Sequence, residues 1–169
     1  MSETRSYPRH VRTDAGDIEF RMMARADEAA VLAFAQKLPT HDLLFLPRNI
    51  SQPKVLSAWL NEIERGAITS LLAVKNGAVV GCGTLVRDPH SWSPHVGEIR
   101  MVVSQDVRGQ GVGRALSQET FALALGAGLE KLSVQMTVAH PRVSTAGRRR
   151  TSGPISPCEP YWRSLRRSS

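Results

Sequence analysis

GEIRMVVSQDVRGQGVGRAL, residues 97–116, is the stretch whose reading decides the fold. Ile99, Met101 and Val103 alternate with Glu98, Arg100 and Val102, the period of two that a strand with two distinct faces requires. Arg108-Gly109-Gln110-Gly111-Val112-Gly113 follows, in which every second residue lacks a Cβ, so the backbone can turn tightly and approach a ligand closely. Ala115, Leu116, Ala122 and Leu123 then recur at helical spacing. A glycine loop feeding a helix leaves several N–H groups unpaired and aimed at one place, where the helix dipole adds about half a positive charge. That place suits a phosphate.

The loop lacks the marks of two common phosphate binders. No Lys-Ser or Lys-Thr follows its last glycine, which argues against a nucleotide loop of the Walker kind. A dinucleotide fingerprint begun at Gly109 would need its third glycine at position 114, which is Arg114.

Upstream, residues 68–74 and 78–86 are strand-like and enclose Asn76-Gly77, a strong hairpin signal, so the two are expected to be antiparallel neighbours. Gly81 and Gly83 flank Cys82 inside the second of them, which fits a bulge, a close approach or the packing of small residues. Residues 18–23 read as a first strand. Asp27 is expected to cap a helix carrying Val31, Phe34, Ala35 and Leu38 on one stripe. Residues 39–49 form a connection that contains His41 and the apolar run Leu43 to Leu46. Ser51 is placed as the cap of a second helix bearing Val55, Leu56, Trp59, Leu60 and Ile63, which Gly66 ends. Residues 88–95, with two prolines, read as an exposed connection. Downstream, Leu132, Val134, Met136 and Val138 alternate with polar residues as a fifth strand, and the unit from Glu98 to Val138 implies a right-handed parallel crossover.

Composition bounds the rest. The 169 residues suffice for one domain with a core, and 41% hydrophobic content is ordinary. No apolar run approaches the roughly 20 residues of a membrane span, and the polar start MSETRSYPRHVR lacks a signal core, so a cytoplasmic protein without membrane partners is expected. Cys82 and Cys158 make no disulfide framework, and none of the five histidines has metal-ligand spacing, so no metal is expected. The net charge of +7 is concentrated at one end: residues 141–169 hold seven arginines against one glutamate. Without interleaved aromatics this segment reads as a solvated end in preference to a nucleic-acid contact.

The motif from Arg108 to Gly113 resembles the Arg/Gln-x-x-Gly-x-Gly/Ala signature of the GNAT superfamily of N-acetyltransferases, and strand, loop and helix fall where that family has them. The resemblance implies a mixed α/β acyl-CoA N-acyltransferase fold, in the order β-α-α-β-β-β-α-β, over residues 18–140. It also implies an enzyme that moves an acetyl group from acetyl-CoA to a primary amine of a small molecule or protein. By the same resemblance the loop residues Arg108, Gly109, Gln110, Gly111, Val112, Gly113 and Arg114 hold the coenzyme's pyrophosphate. The backbone of Met101, Val102 and Val103 receives the pantetheine arm in a gap where two strands splay, as an added strand would be received. Glu98 matches the glutamate that serves as general base in the histone-acetylating branch; as a strand residue it is equally placed to pair with Arg100 or solvent. The acceptor is not specified, and a homodimer is left open.

After Val138 the resemblance stops. The family continues with a helix and two strands, whereas residues 141–169 are rich in Arg, Ser, Pro and Gly without periodicity. The expectation is a flexible segment over 1–17, an acetyltransferase domain over 18–140 and a basic, disordered tail over 141–169. The abrupt change reads as a truncation or a change of frame. Two alternatives therefore stand beside the enzyme: a CoA-binding remnant without turnover, and a nucleic-acid-associated protein acting through its arginines.

Overall fold

The computed structural model describes residues 5–43, 49–87 and 92–136. All lie in the first of the two units, Met1–Ala139 and His140–Ser169, into which the chain divides. The elements in order are β1 (Arg9–Thr13), β2 (Gly16–Met22), a 3₁₀ turn (Arg25–Asp27), α1 (Glu28–Lys37), the short α2 (Thr40–Leu43) and α3 (Pro53–Glu64). They continue with β3 (Ile68–Lys75), β4 (Ala78–Arg87), β5 (Val96–Val103), a second 3₁₀ turn (Gln105–Val107), α4 (Val112–Gly126) and β6 (Lys131–Met136). The six strands lie side by side in chain order. Neighbours from β1 to β5 are antiparallel, whereas β5 and β6 are parallel, as the crossover through α4 requires.

Strand alternation feeds two cores, one on each face of the sheet. Leu72, Cys82 and Val102 pack with Val31, Phe34, Leu56, Trp59 and Leu60 beneath α1 and α3. Leu71, Ala73, Leu85, Ile99 and Met101 pack with Val112, Ala115, Leu116 and Ala124 beneath α4. The buried polar groups on the α3 side are paired: Trp59 Nε1 donates to Ser70 Oγ at 3.2 Å, and Ser70 Oγ lies 3.3 Å from Thr84 Oγ1. Cys82 belongs to this core, where burial pushes its thiol up to about 11, so it is a packing residue and not a nucleophile.

The hairpin is where Asn76-Gly77 put it: both residues have positive φ, 49° and 78°, matching the right-handed twist of β3 and β4. Around Gly81 and Gly83 the structure contains both a bulge and a close approach. Ala73 pairs with Gly81 and Val74 with Val79, leaving Val80 as the extra residue. A Cβ on Gly83 would fall 2.4 Å from Thr120 Oγ1, so the bare backbone lets α4 lie against the sheet.

Two local expectations are corrected, and a third is met in position only. The sheet starts at Arg9 and not at Ile18, because β1 pairs with β2 from Arg9↔Phe20 to Thr13↔Gly16. As an edge strand with mostly exposed side chains it has no apolar period to reveal it. Ser51 is not the cap of α3: its Oγ donates to Asn49 Oδ1 at 2.5 Å, Gln52 takes the N-cap, and Pro53 supplies the first helical residue with its preset φ. Asp27 does stand at the N-cap of α1, but its carboxylate makes no capping bond and turns backward, accepting Ala24 N–H at 2.9 Å and Arg21 Nη1 at 2.7 Å. Burial alone would raise its pKa, but these two donors outweigh it and hold the carboxyl below its usual range. The expected end of the last strand at Val138 and the tail over 141–169 lie outside the described residues.

The amino-terminal segment is fastened to α4 through Glu119, a carboxylate only 4% exposed. Glu119 accepts from Arg5 Nη1 at 2.7 Å and from the Tyr7 hydroxyl at 3.1 Å, with Arg9 Nε at 3.5 Å. Burial, then the hydrogen bond to Glu119, pushes the Tyr7 hydroxyl up to about 12. A pKa raised on folding favours the protonated form, so this contribution to stability is complete below about pH 10 and is lost as pH rises towards 12. Denaturant midpoints taken at pH 9 and 11.5 should fall further in the parent than in Tyr7→Phe. Equal falls in both would show that the hydroxyl adds nothing to the attachment.

Candidate active site

The glycine loop has the backbone needed for an anion. Gly109 and Gly111 have φ of 76° and 82°, the left-handed region that glycine enters without steric cost, and Gly111 is the N-cap of α4. The first intrahelical bond runs from Ala115 N–H to Gly111 C=O at 3.0 Å. The amides of Val112, Gly113 and Arg114 therefore have no carbonyl partner within the helix. The surrounding space is open: a Cβ would meet nothing within 4 Å at Gly109, Thr13 Cβ at 3.8 Å at Gly111, and Val103 Cγ2 at 3.8 Å at Gly113. The buried side chain of Val112 anchors the turn, Arg114 is exposed, and Gln110 Nε2 donates to Asp106 C=O at 2.9 Å. A diphosphate fits this donor set and this room.

Arg108, the first residue of the motif, behaves differently from the rest of the loop. Its amide donates to Gln105 C=O at 3.2 Å, and its Nε and Nη2 both donate to Val103 C=O at 3.1 Å. Nη2 also bonds the buried carboxylate of Asp42 in α2. Its backbone donor and two of its guanidinium nitrogens, Nε and Nη2, are thus committed to the protein.

The strand that leads into the loop is β5, flanked by β4 and β6. The parallel ladder of β5 and β6 runs from Val96↔Lys131 to Met101↔Met136. Val102 and Val103 complete β5 and pair with Cys82 and Gly81 of β4, while the residues after Met136 lie outside the described ones. The side chains of Met101 and Val102 are buried in opposite cores, so what these positions can offer a ligand is backbone.

Glu98 lies on β5 three residues before Met101, about 10 Å along the strand. It shares with Arg100 the face opposite α4, and its Oε1 is 2.9 Å from Arg100 Nη2. It also borders a cavity of 390 Å³ lined by Val86, Arg87, Trp92, Gly97 and Ser133 among others, with Trp92 almost fully exposed at 95%. Among the described residues, Arg100 Nε is the one buried side-chain polar atom without a hydrogen-bond partner.

The structure therefore brings the predicted loop residues, β5 and Glu98 into one region running from the α4 N-terminus along β5. Sequence reading missed Asp42 and placed His41 only in a connection. An acid directly before the apolar run Leu43 to Leu46 was the available signal, since such a carboxylate must find a partner when buried. Among the described residues no helix is long and apolar enough to cross a membrane, and no three His, Cys, Asp or Glu side chains converge as metal ligands.

Comparison with known proteins assigns the class. The family model described as acetyltransferase (GNAT) family matches residues 33–144, and the chain belongs to that family. By this resemblance it is an acetyltransferase. The GNAT domain of S. lividans PAT superposes with a TM-score of 0.65 at 18% identity, covering 76% of this chain and 80% of that one. Ribosomal-protein-alanine N-acetyltransferase from Brucella melitensis gives 0.55 at 23% identity, covering 68% and 72%. A predicted acetyltransferase from Clostridium acetobutylicum, solved with acetyl-CoA, gives 0.52 at 14% identity, covering 69% and 79%. At these identities the likeness is one of fold. No curated protein matches the chain.

Proposed function

We propose that this protein transfers the acetyl group of acetyl-CoA to a primary amine of a small molecule or a protein. The observation that carries the proposal is the open amide cradle at the start of α4, set just beyond the end of β5. The pyrophosphate would rest on amides from Gly109 to Arg114, and the pantetheine arm would follow β5 from Val103 towards Met101. The acceptor would approach through the cavity that Glu98 borders. Its nitrogen attacks the thioester carbonyl, the C–S bond breaks, and the thiolate leaves to be protonated. An amine of pKa near 10 must first lose a proton, and Glu98 would take it. The engagement of Glu98 by Arg100 favours one second reading, a CoA-binding chain without turnover.

Calorimetry with acetyl-CoA tests the cradle, and two glycine variants localise it. Gly113→Ala adds only a methyl at ordinary contact distance from Val103, so thermal stability should be unchanged. Affinity should nevertheless drop about tenfold, roughly 1.4 kcal/mol, because the methyl enters the space taken by the ligand. Gly111→Val should weaken binding and also cost the fold about 1–2 kcal/mol, since a β-branched residue is forced to positive φ. Parent-like affinity in both variants would remove the pyrophosphate from this loop. Acetyl-CoA binding with no product from any of a panel of amines would support the second reading.

A further inference from the structure

Asp42 has no part in the transfer chemistry, yet it is 1% exposed and carries a short network between distant segments. It sits in the four-residue helix α2, within the connection from α1 to α3. Its Oδ2 accepts from Arg108 Nη2, 66 residues further along the chain, and its Oδ1 lies 3.0 Å from His41 Nδ1. Arg108, so held, covers the Val103 carbonyl with two donors at 3.1 Å. Val103 is the last residue of β5. One buried carboxylate thereby ties together the glycine loop, the end of β5 and the α1–α3 connection. A buried carboxylate that loses its cation is left uncompensated, so the bridge holds as a unit.

We propose that Asp42 is a positioning residue for acetyl-CoA. By clamping Arg108 against Val103 it sets the distance between the loop amides and the β5 backbone, the two surfaces that the pyrophosphate and the pantetheine arm must reach at once. Coupling of this kind is reciprocal, so occupancy of the cofactor site tightens the connection that carries α2. The inference rests on the assignment of the loop to coenzyme A.

The test uses coenzyme A itself as the probe, titrated calorimetrically into the full chain and into Asp42→Asn, Arg108→Gln and the double variant, with circular dichroism and thermal unfolding of each. Asp42→Asn and Arg108→Gln should each weaken binding about tenfold, and the double variant should be no weaker than either, because both remove the same bridge. Coenzyme A should slow hydrogen exchange of the α2 amides in the parent and not in Asp42→Asn. Parent-like affinity in a folded Asp42→Asn overturns the inference even where its Tm falls, since the carboxylate is then structural alone. Losses that add in the double variant overturn it too, because Arg108 would then act on the ligand without Asp42. Should Asp42→Asn fail to fold, Arg108→Gln, altered at a side chain 23% exposed, decides through its affinity and its α2 exchange. A parent chain that binds no coenzyme A overturns the assignment of the loop, and this inference with it.

Discussion

Gly83→Ala should destabilise the protein by about 3 kcal/mol, the upper end for overpacking in a well-filled core. The new Cβ would lie 2.4 Å from Thr120 Oγ1 and 3.2 Å from Leu116 Cδ1, and both neighbours are fully buried. Thr120 cannot yield by turning its side chain, because its hydroxyl is bonded to Leu116 C=O at 2.8 Å and its second branch would meet the same methyl. The helix itself must move off the sheet. For a chain of this size the loss corresponds to a fall in Tm of roughly 6–12 °C. Thr120→Ala in the same chain should recover much of it by vacating the space, a coupling that a double-mutant cycle reads directly. Gly97→Ala provides the contrast. Its nearest neighbour, at 2.5 Å, is the tip of Leu129, a flexible side chain that can swing aside, so a smaller loss is expected. Should Gly83→Ala keep the parent Tm, α4 would not be seated on β4 as described.

Glu98→Gln should lower the rate of acetylation at pH 7 by about 10²-fold, the lower end of what a positioned base supplies. The neutral amide cannot take the ammonium proton, but it keeps the shape of the residue and stays clear of the loop, so affinity for acetyl-CoA should hold. The deficit should shrink as pH approaches 10, where more of the amine is already neutral. Loss of the partner of Arg100 is a separate effect, and it should appear in Tm and not in the pH profile. A variant matching the parent rate at every pH would leave Glu98 as the ion-pair partner of Arg100 and no more.

The legible parts of the chain were those where a local rule acts alone. Asn76-Gly77 demanded positive φ at both positions, and the hairpin formed there. The alternation from Ile99 to Val103 and the glycines at 109, 111 and 113 implied a strand and a helix start, and the structure contains both. Helix starts were read less well, because caps depend on competition among neighbouring donors and acceptors. Asn49 captured the Ser51 side chain, and Arg21 with Ala24 captured the carboxylate of Asp27, which holds the N-cap position of α1 without a side-chain capping bond.

What the sequence by itself determined was the order of the elements from Ile18 onward apart from the short α2, the faces of the inner strands and the position of the glycine loop. Each follows from spacing along the chain, through side-chain period and the conformations open to glycine. Strand β1 was decided only in three dimensions, since its mostly exposed residues gain their place by pairing with β2 and by the charges that Arg5 and Arg9 set against Glu119. The direction of Arg108 was decided there too. Its motif predicts a side chain beside a phosphate loop, but the chain folds so that a buried carboxylate 66 residues away lies within its reach. Burial multiplies the strength of such a pairing because water no longer competes for either charge, and burial belongs to the packed molecule and not to any short run of residues.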